Sequence, residues 1–217
     1  MTLHRATAAV RRTLPLPGEY PCGLAWDGTH LWHSDQLLGK VYALDPGDGR
    51  VVRTLDCPAV RADLTFDGRW LCQVGMRPKR LLLIDRETGE RVGRREVPPA
   101  SGRLTGVEAC PDGMWMCLRG PTVLQLRETR EMTILREHPV AGGQPSGLTW
   151  ADGVVVHGDY VDRRLRATDP DTGAELGSVP VSGNPTGVTW DGEHLWYCDF
   201  PGRRIHALRL DDVLGHS

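Results

Sequence analysis

Lysine is nearly missing from this chain: of its 26 basic residues only Lys40 and Lys79 are lysine, and the rest are arginine. That skew follows genomic base composition, and no function is read into it. A basic run interleaved with aromatics is missing too. With a formal net charge of -2 there is no electrostatic pull toward a polyanion, so nucleic acid is not an expected partner. No apolar stretch is long enough to cross a bilayer, and the opening residues MTLHRATAAVRRTLPLPG lack the apolar core of a secretory leader. A cytoplasmic protein with no membrane contact is expected, and a monomer is consistent with it. Cys22, Cys57, Cys72, Cys110, Cys117 and Cys198 show no Cys-x-x-Cys spacing. Reduced thiols are therefore expected rather than a disulfide framework or a zinc knot. The chain also has no phosphate loop and no dinucleotide fingerprint, so a nucleotide cofactor is not expected.

What is present is one phrase written five times. It reads GLAWDG from Gly23, DLTFDG from Asp63, GVEACPDG from Gly106, GLTWADG from Gly147 and GVTWDG from Gly187, with starts 40, 43, 41 and 40 residues apart. That period belongs to a β-propeller blade of four short strands. Each unit continues in the same order: a strand ending in Asp-Gly, a second around Trp, a third ending in a turn such as DPGDG or DRETG, and a fourth running into Pro. The fifth unit stops near Leu210 before any fourth strand. Residues 8–18, AAVRRTLPLPG, match the outer-strand pattern and can complete that sheet, which leaves no open edge. An all-β, five-bladed propeller of four antiparallel strands per blade is predicted, as one domain of 217 residues. Its blades cover about 20–60, 61–102, 103–143, 144–183 and 184–210 plus 8–18, with 211–217 as a tail.

Positions that agree across blades are read as architecture. Trp26, Phe66, Trp150 and Trp190 form one aromatic column, and Trp32, Trp70, Trp115 and Trp196 a second; aromatics repeated once per blade fill the wedge between sheets. Two residues beyond the second column lie Ser34, Cys72, Cys117 and Cys198, with Gly158 in the fourth blade. All are small, so cysteine there serves as a compact apolar residue, although three thiols in a ring also fit a metal site. Asp35, Asp159 and Asp199 end the same strand and are expected to bond backbone in the adjoining loop. His30 and His194 follow the hairpin at the opposite face and read as structural.

Positions that disagree are candidates for chemistry. The first strand of a blade is innermost, and alternate residues face the channel. Asp63 stands where four blades have glycine, and Glu108 where the others have Ala25, Thr65, Thr149 and Thr189. A carboxylate in a narrow channel suits general acid or base work, or holds a cation; the alternative is an acid bound to ordered water or a backbone amide. The residue after the second-strand Trp is His33, Leu71, Met116 and Tyr197, with His157 in the fourth blade. Those histidines can accept protons or bind a metal, or simply pack between blades. In the loops that run into the first strands, Arg61 breaks a proline position and Cys22 a Thr/Ser position. Arg61 either forks onto a substrate carboxylate or pairs with Asp63. Arg119, Arg103, Tyr20, Gln144 and Asn184 fall on or near the same face.

The repeats GLAWDGTHLWHSDQLLGKVYALDPGDGRVV and GVTWDGEHLWYCDFPGRRIHAL resemble the blades of streptogramin lyase-like and NHL/YncE-like propellers, over about residues 20–210. The five-fold count resembles plant-type glutaminyl cyclases, the glutamine cyclotransferases. The first likeness implies seven-bladed enzymes that open a cyclic depsipeptide by elimination with magnesium and a histidine base. The second implies acidic groups at the channel mouth, similar in kind to Asp63 and Glu108.

The leading expectation is a small-molecule enzyme of lyase, cyclase or isomerase type at the channel mouth. Glu108, Asp63, His157 and His33 are its acid/base groups, or together hold a divalent metal. Arg61, Arg119, Tyr20, Cys22, Gln144, Asn184 and Tyr197 contact the substrate. The alternative is a non-catalytic propeller that binds a peptide, protein or small ligand.

Overall fold

The computed structural model describes residues 8–75, 79–98 and 102–215. The leader reading of residues 1–7 and the last two positions of the expected tail lie outside them. Five four-stranded antiparallel sheets form a ring, so the chain is a five-bladed β-propeller. Strand β1 (Arg12–Pro15) comes first. Blade 1 holds β2 (Pro21–Trp26), β3 (Leu31–Asp35), β4 (Lys40–Leu44) and β5 (Val51–Asp56), and blade 2 holds β6 (Leu64–Phe66), β7 (Leu71–Val74), β8 (Arg80–Ile84) and β9 (Arg91–Glu96). Blade 3 holds β10 (Arg103–Cys110), β11 (Gly113–Arg119), β12 (Val123–Arg127) and β13 (Ile134–Pro139). Blade 4 holds β14 (Pro145–Ala151), β15 (Val154–Asp159), β16 (Arg164–Thr168) and β17 (Glu175–Pro180). Blade 5 holds β18 (Pro185–Trp190), β19 (Leu195–Asp199) and β20 (Arg204–Leu208), and β1 closes it by pairing with β20 from Arg12↔Ala207 to Pro15↔Arg204. Ahead of β1, the Ala8 amide donates to the Pro180 carbonyl at 3.0 Å, tying the N-terminal segment to blade 4 as well.

The expected tail is partly a short helix, α1 (Leu210–Leu214), which buries Leu210 and Val213 against β17 and β16. Gly177 makes this docking possible, because a Cβ there would lie 2.4 Å from the Val213 carbonyl oxygen.

The Asp-Gly hairpins are held by the aspartate as much as by the glycine. Asp191 Oδ1 accepts from the amides of Glu193 and His194, and Oδ2 accepts from Trp196 Nε1 at 2.6 Å. Asp27 does the same for Thr29, His30 and Trp32 Nε1. Replacing Asp191 with alanine is expected to cost about 2 kcal/mol, since it removes a turn and strands a buried indole donor. Urea denaturation measures it, and a loss below about 0.5 kcal/mol would show that the indole bond is dispensable.

Blade 2 corrects the column reading. Trp70 lies in the hairpin, and Thr65 pairs with Cys72, as Ala25 pairs with Trp32 and Glu108 with Trp115. Cys72 therefore occupies the tryptophan column. Its thiol donates to Asp67 Oδ2 at 3.5 Å, and Arg95 Nη2 donates to the same oxygen at 3.0 Å, together standing in for the indole. The corrected neighbours are His33, Gln73, Met116, His157 and Tyr197 in one column and Ser34, Val74, Cys117, Gly158 and Cys198 in the next.

Candidate functional site

The five first strands pack side by side around the axis, and their glycines set how close they come. A Cβ at Gly23 would lie 2.5 Å from the Leu64 nitrogen, one at Gly147 2.5 Å from Gly187 Cα, and one at Gly187 2.6 Å from the Leu24 nitrogen. Only glycine fits at such separations. In this layer blade 2 supplies Asp63 instead. It is fully buried, and its carboxylate accepts from the amides of Leu24, Val107 and Leu148 at 3.2 to 3.3 Å. Those amides belong to blades 1, 3 and 4, so the carboxylate sits at the axis and closes the channel. Burial pushes its acid well above the usual carboxylate range, against the pull of these amides.

Glu108 lies farther along the same strands, half-buried. Thr65 Oγ1 donates to its Oε2 at 2.6 Å and Thr149 Oγ1 to its Oε1 at 2.9 Å. Burial lifts it to about 7. His33 and His157 are buried on the second strands of their blades: His33 stacks on Tyr42, and among the described residues neither nitrogen of His157 has a hydrogen-bond partner. Burial holds them down to about 4 and about 3. The expected metal set is not assembled, since among the described residues no three His, Cys, Asp or Glu side chains come together to hold an ion. The small column is packing: Cys117 and Cys198 are fully buried, as is Cys72 in the tryptophan column, with burial raising each thiol. Tyr197 is buried away from the mouth and donates to the Ser182 carbonyl.

On the other side of the Asp63 layer, at the face of the loops that run into the first strands, is a cavity of about 230 Å³. Its floor is one residue from each blade: Cys22, Ala62, Thr105, Ser146 and Thr186. Strict alternation from Gly23 would turn these away from the axis. In four blades the pairing of first and second strands slips at this point, a β-bulge that re-aims the side chain toward the mouth. Thr105 Oγ1 donates to the Pro145 carbonyl at 2.7 Å and Ser146 Oγ to the Pro185 carbonyl at 2.5 Å, stapling each blade to the next. Thr186 Oγ1 has no such partner. Burial pushes the Cys22 thiol up to about 12, so it is no nucleophile near neutrality.

The wall is one column met in four blades at or just beyond the end of the second strand: Gln36, Arg119, Tyr160 and Phe200, with Tyr20, Arg61 and Arg103 beside it. In blades 1, 4 and 5 the preceding acid ties down the loop as expected. Asp35, for example, accepts from the amides of Glu19, Tyr20 and Leu38. Of the contact residues read from sequence, Tyr20, Cys22, Arg61 and Arg119 line the cavity. Gln144 and Asn184 stand behind it: Gln144 Oε1 accepts from Arg119 Nη1 at 3.0 Å, and Asn184 Nδ2 donates to the Tyr160 carbonyl at 2.7 Å. Asp63, Glu108, His33 and His157 do not line it. Arg61 does not pair with Asp63; with the Gln36 amide turned, Arg61 Nη1 donates to the Gln36 carbonyl oxygen at 3.2 Å.

The mouth is polarised. Arg61, Arg103 and Arg119 form one side, no carboxylate lines the cavity, and among the described residues none of the three guanidiniums is ion-paired. Desolvation lowers Arg119, and the neighbouring charge of Arg103 adds to it. Facing them, Tyr20 and Tyr160 each meet Phe200 edge to face, with ring centroids 4.7 and 6.1 Å apart.

No protein-family model matches the chain, and no curated protein matches it. Solved structures do. A glutaminyl cyclase from Myxococcus xanthus has a TM-score of 0.80 at 17% identity, over 93% of this chain and 95% of that one. A catalytically inactive virginiamycin B lyase from Staphylococcus aureus, with quinupristin, gives 0.56 at 16%, over 90% and 68%. A chain of a nidogen/laminin complex gives 0.64 at 17%, over 89% and 77%. The class they define is a propeller fold that carries cyclases, lyases and binding modules alike.

Proposed function

We propose that the protein binds a small organic anion at the mouth of its axial channel. One observation carries this reading: three arginines converge on a ligand-sized cavity that no carboxylate lines. A guanidinium fork matches a carboxylate in two parallel hydrogen bonds, and a partly closed cavity strengthens the attraction. Asp63 lies below the floor and offers little counter-charge, because burial favours its neutral form. Acetate, succinate and benzoate titrated against the protein are expected to shift the amide resonances of Cys22, Thr105 and Thr186 saturably. Arg103→Glu is expected to weaken them about tenfold, a loss of about 1.4 kcal/mol. Saturable binding that survives Arg103→Glu and Arg119→Gln unchanged would overturn the proposal.

A second reading, acid/base turnover of the lyase or cyclase kind, is favoured by Glu108, whose carboxyl is lifted to about 7 and half-open on the far side of Asp63. Glutaminyl-cyclase or streptogramin-lyase turnover that disappears in Glu108→Gln would support it, and turnover unaffected by that change would remove Glu108 from it.

A further inference from the structure

We infer that the anion seated at the mouth is an aryl carboxylate, lying with its oxyanion on blades 2 and 3 and its ring on blades 4, 5 and 1. The inference rests on the anion reading above and adds the other half of the ligand. The cavity divides its chemistry by blade. Arg61 comes from blade 2, Arg103 and Arg119 from blade 3, Tyr160 from blade 4, Phe200 from blade 5 and Tyr20 from the start of blade 1.

The three rings form an edge-to-face run rather than a stack. The Arg119 guanidinium lies over the Tyr160 ring at 5.9 Å, where the cationic and aromatic sides meet, and a flat guest beside them can meet Tyr20 or Phe200 by edge or offset face. An aliphatic acid would fill the volume without that contact. Size agrees, since an apolar cavity of roughly 150 Å³ takes up one benzene molecule. The 230 Å³ here leaves room for a ring, a short linker and a carboxylate.

The cationic side is already ordered for its task. Pro145 and Gln144 hold Arg119 through Nε at 2.8 Å and Nη1 at 3.0 Å, and among the described residues Nη2 has no hydrogen-bond partner. Gln36 holds Arg61. The Arg103 guanidinium makes no hydrogen bond or ion pair among the described residues.

Thr186 supplies the remaining polar contact. Its column mates Thr105 and Ser146 spend their hydroxyls on the next blade's carbonyl, while Thr186 Oγ1 is buried without a partner in the cavity floor. It is a positioning residue for the ligand rather than a staple of the ring.

The test is calorimetric titration of the whole protein with benzoate, 3-phenylpropionate and cinnamate, against acetate and cinnamamide. At least one aryl carboxylate is expected to bind tenfold or more tightly than both acetate and cinnamamide. Phe200→Leu keeps an apolar side chain and loses the flat face. It is expected to weaken the best aryl acid about tenfold and leave acetate unchanged. Thr186→Val is expected to weaken that acid severalfold at an unchanged melting temperature, whereas Thr105→Val lowers the melting temperature. Acetate binding as tightly as every aryl acid would overturn this inference and leave the anion reading standing. Cinnamamide matching cinnamate would overturn the anion reading itself, and no binding by any of the acids would overturn both.

Discussion

Asp63→Leu is expected to lower the unfolding free energy by about 4 kcal/mol, the largest effect of any single side chain in the protein. The carboxylate is the shared acceptor of three main-chain amides from three other blades, all buried at the axis. Leucine is close in size and accepts nothing, so each amide loses its partner at about 1 to 3 kcal/mol. The three losses occur within one network and do not simply add. For a chain of this length the melting temperature is expected to fall by about 10 °C. Asparagine is the informative contrast. Burial pushes the Asp63 acid well up, and an asparagine carbonyl in place of Oδ2 still accepts from Val107 and Leu148, while its NH2 in place of Oδ1 leaves the Leu24 amide without an acceptor. Asp63→Asn is therefore expected to cost about 2 kcal/mol, less than leucine. Thermal melts in which the leucine and asparagine variants coincide would show that the axial network carries no weight.

The blade grammar was legible because local chemistry writes it: in blades 1 and 5 the hairpin aspartate caps its own turn and takes the indole five residues on, which gives Trp-Asp-Gly followed by Trp. Where the partner changes, the alignment slips. In blade 2 the partners are Cys72 and Arg95, and counting from Trp70 moved that strand by two residues. Period-two alternation brought out Asp63 and Glu108 as residues on the first strands. Their separation from the cavity depends on glycines of four blades meeting at the axis, which no single repeat records. The cavity wall was the column most easily missed. Gln36, Tyr160 and Phe200 follow the strand-ending acid, but Leu118 and Gly75 replace that acid in blades 3 and 2, so the column had no anchor. Of the floor, Cys22 stood out by breaking the Thr/Ser position, while Thr105, Ser146 and Thr186 were hidden by the β-bulges, which reverse the face that alternation assigns to them.

Mild acid is expected to cost stability at His33 and His157, a loss that two buried acids oppose. Burial holds them down to about 4 and about 3, while in the unfolded chain both titrate near 6.5. Below 6.5 the unfolded chain takes up protons that the fold refuses, so stability falls as the pH drops. Each histidine then costs about 2 kcal/mol at pH 5 and about 3 kcal/mol at pH 4. Glu108 works in the opposite direction. Its folded pKa is raised to about 7, so between pH 7 and about 4.5 the fold holds a proton that the unfolded chain releases. Lowering the pH from 7 to 5 thus returns about 2 kcal/mol. Asp63, whose acid is also pushed well up by burial, returns stability in the same direction as Glu108, so the two buried acids offset much of what the two histidines cost between pH 7 and 4. The lowered carboxylates of Asp27, Asp35 and Asp67 add their loss only below about pH 4, where unfolded aspartate protonates. The repeat itself supplies the replacements. Met116 fills the His157 position in blade 3, and in blade 2 Gln73 donates to the Asp63 carbonyl where His33 faces that of Gly23. The double variant His33→Gln, His157→Met is expected to fare better than the parent as the pH falls from 7 to 4, and Glu108→Gln to fare worse between pH 7 and 5. Urea denaturation at pH 7, 6, 5 and 4 measures both. A double variant that weakens in acid as much as the parent would place the acid sensitivity elsewhere, whereas protection confined to His157→Met alone would assign it to the imidazole that has no hydrogen-bond partner.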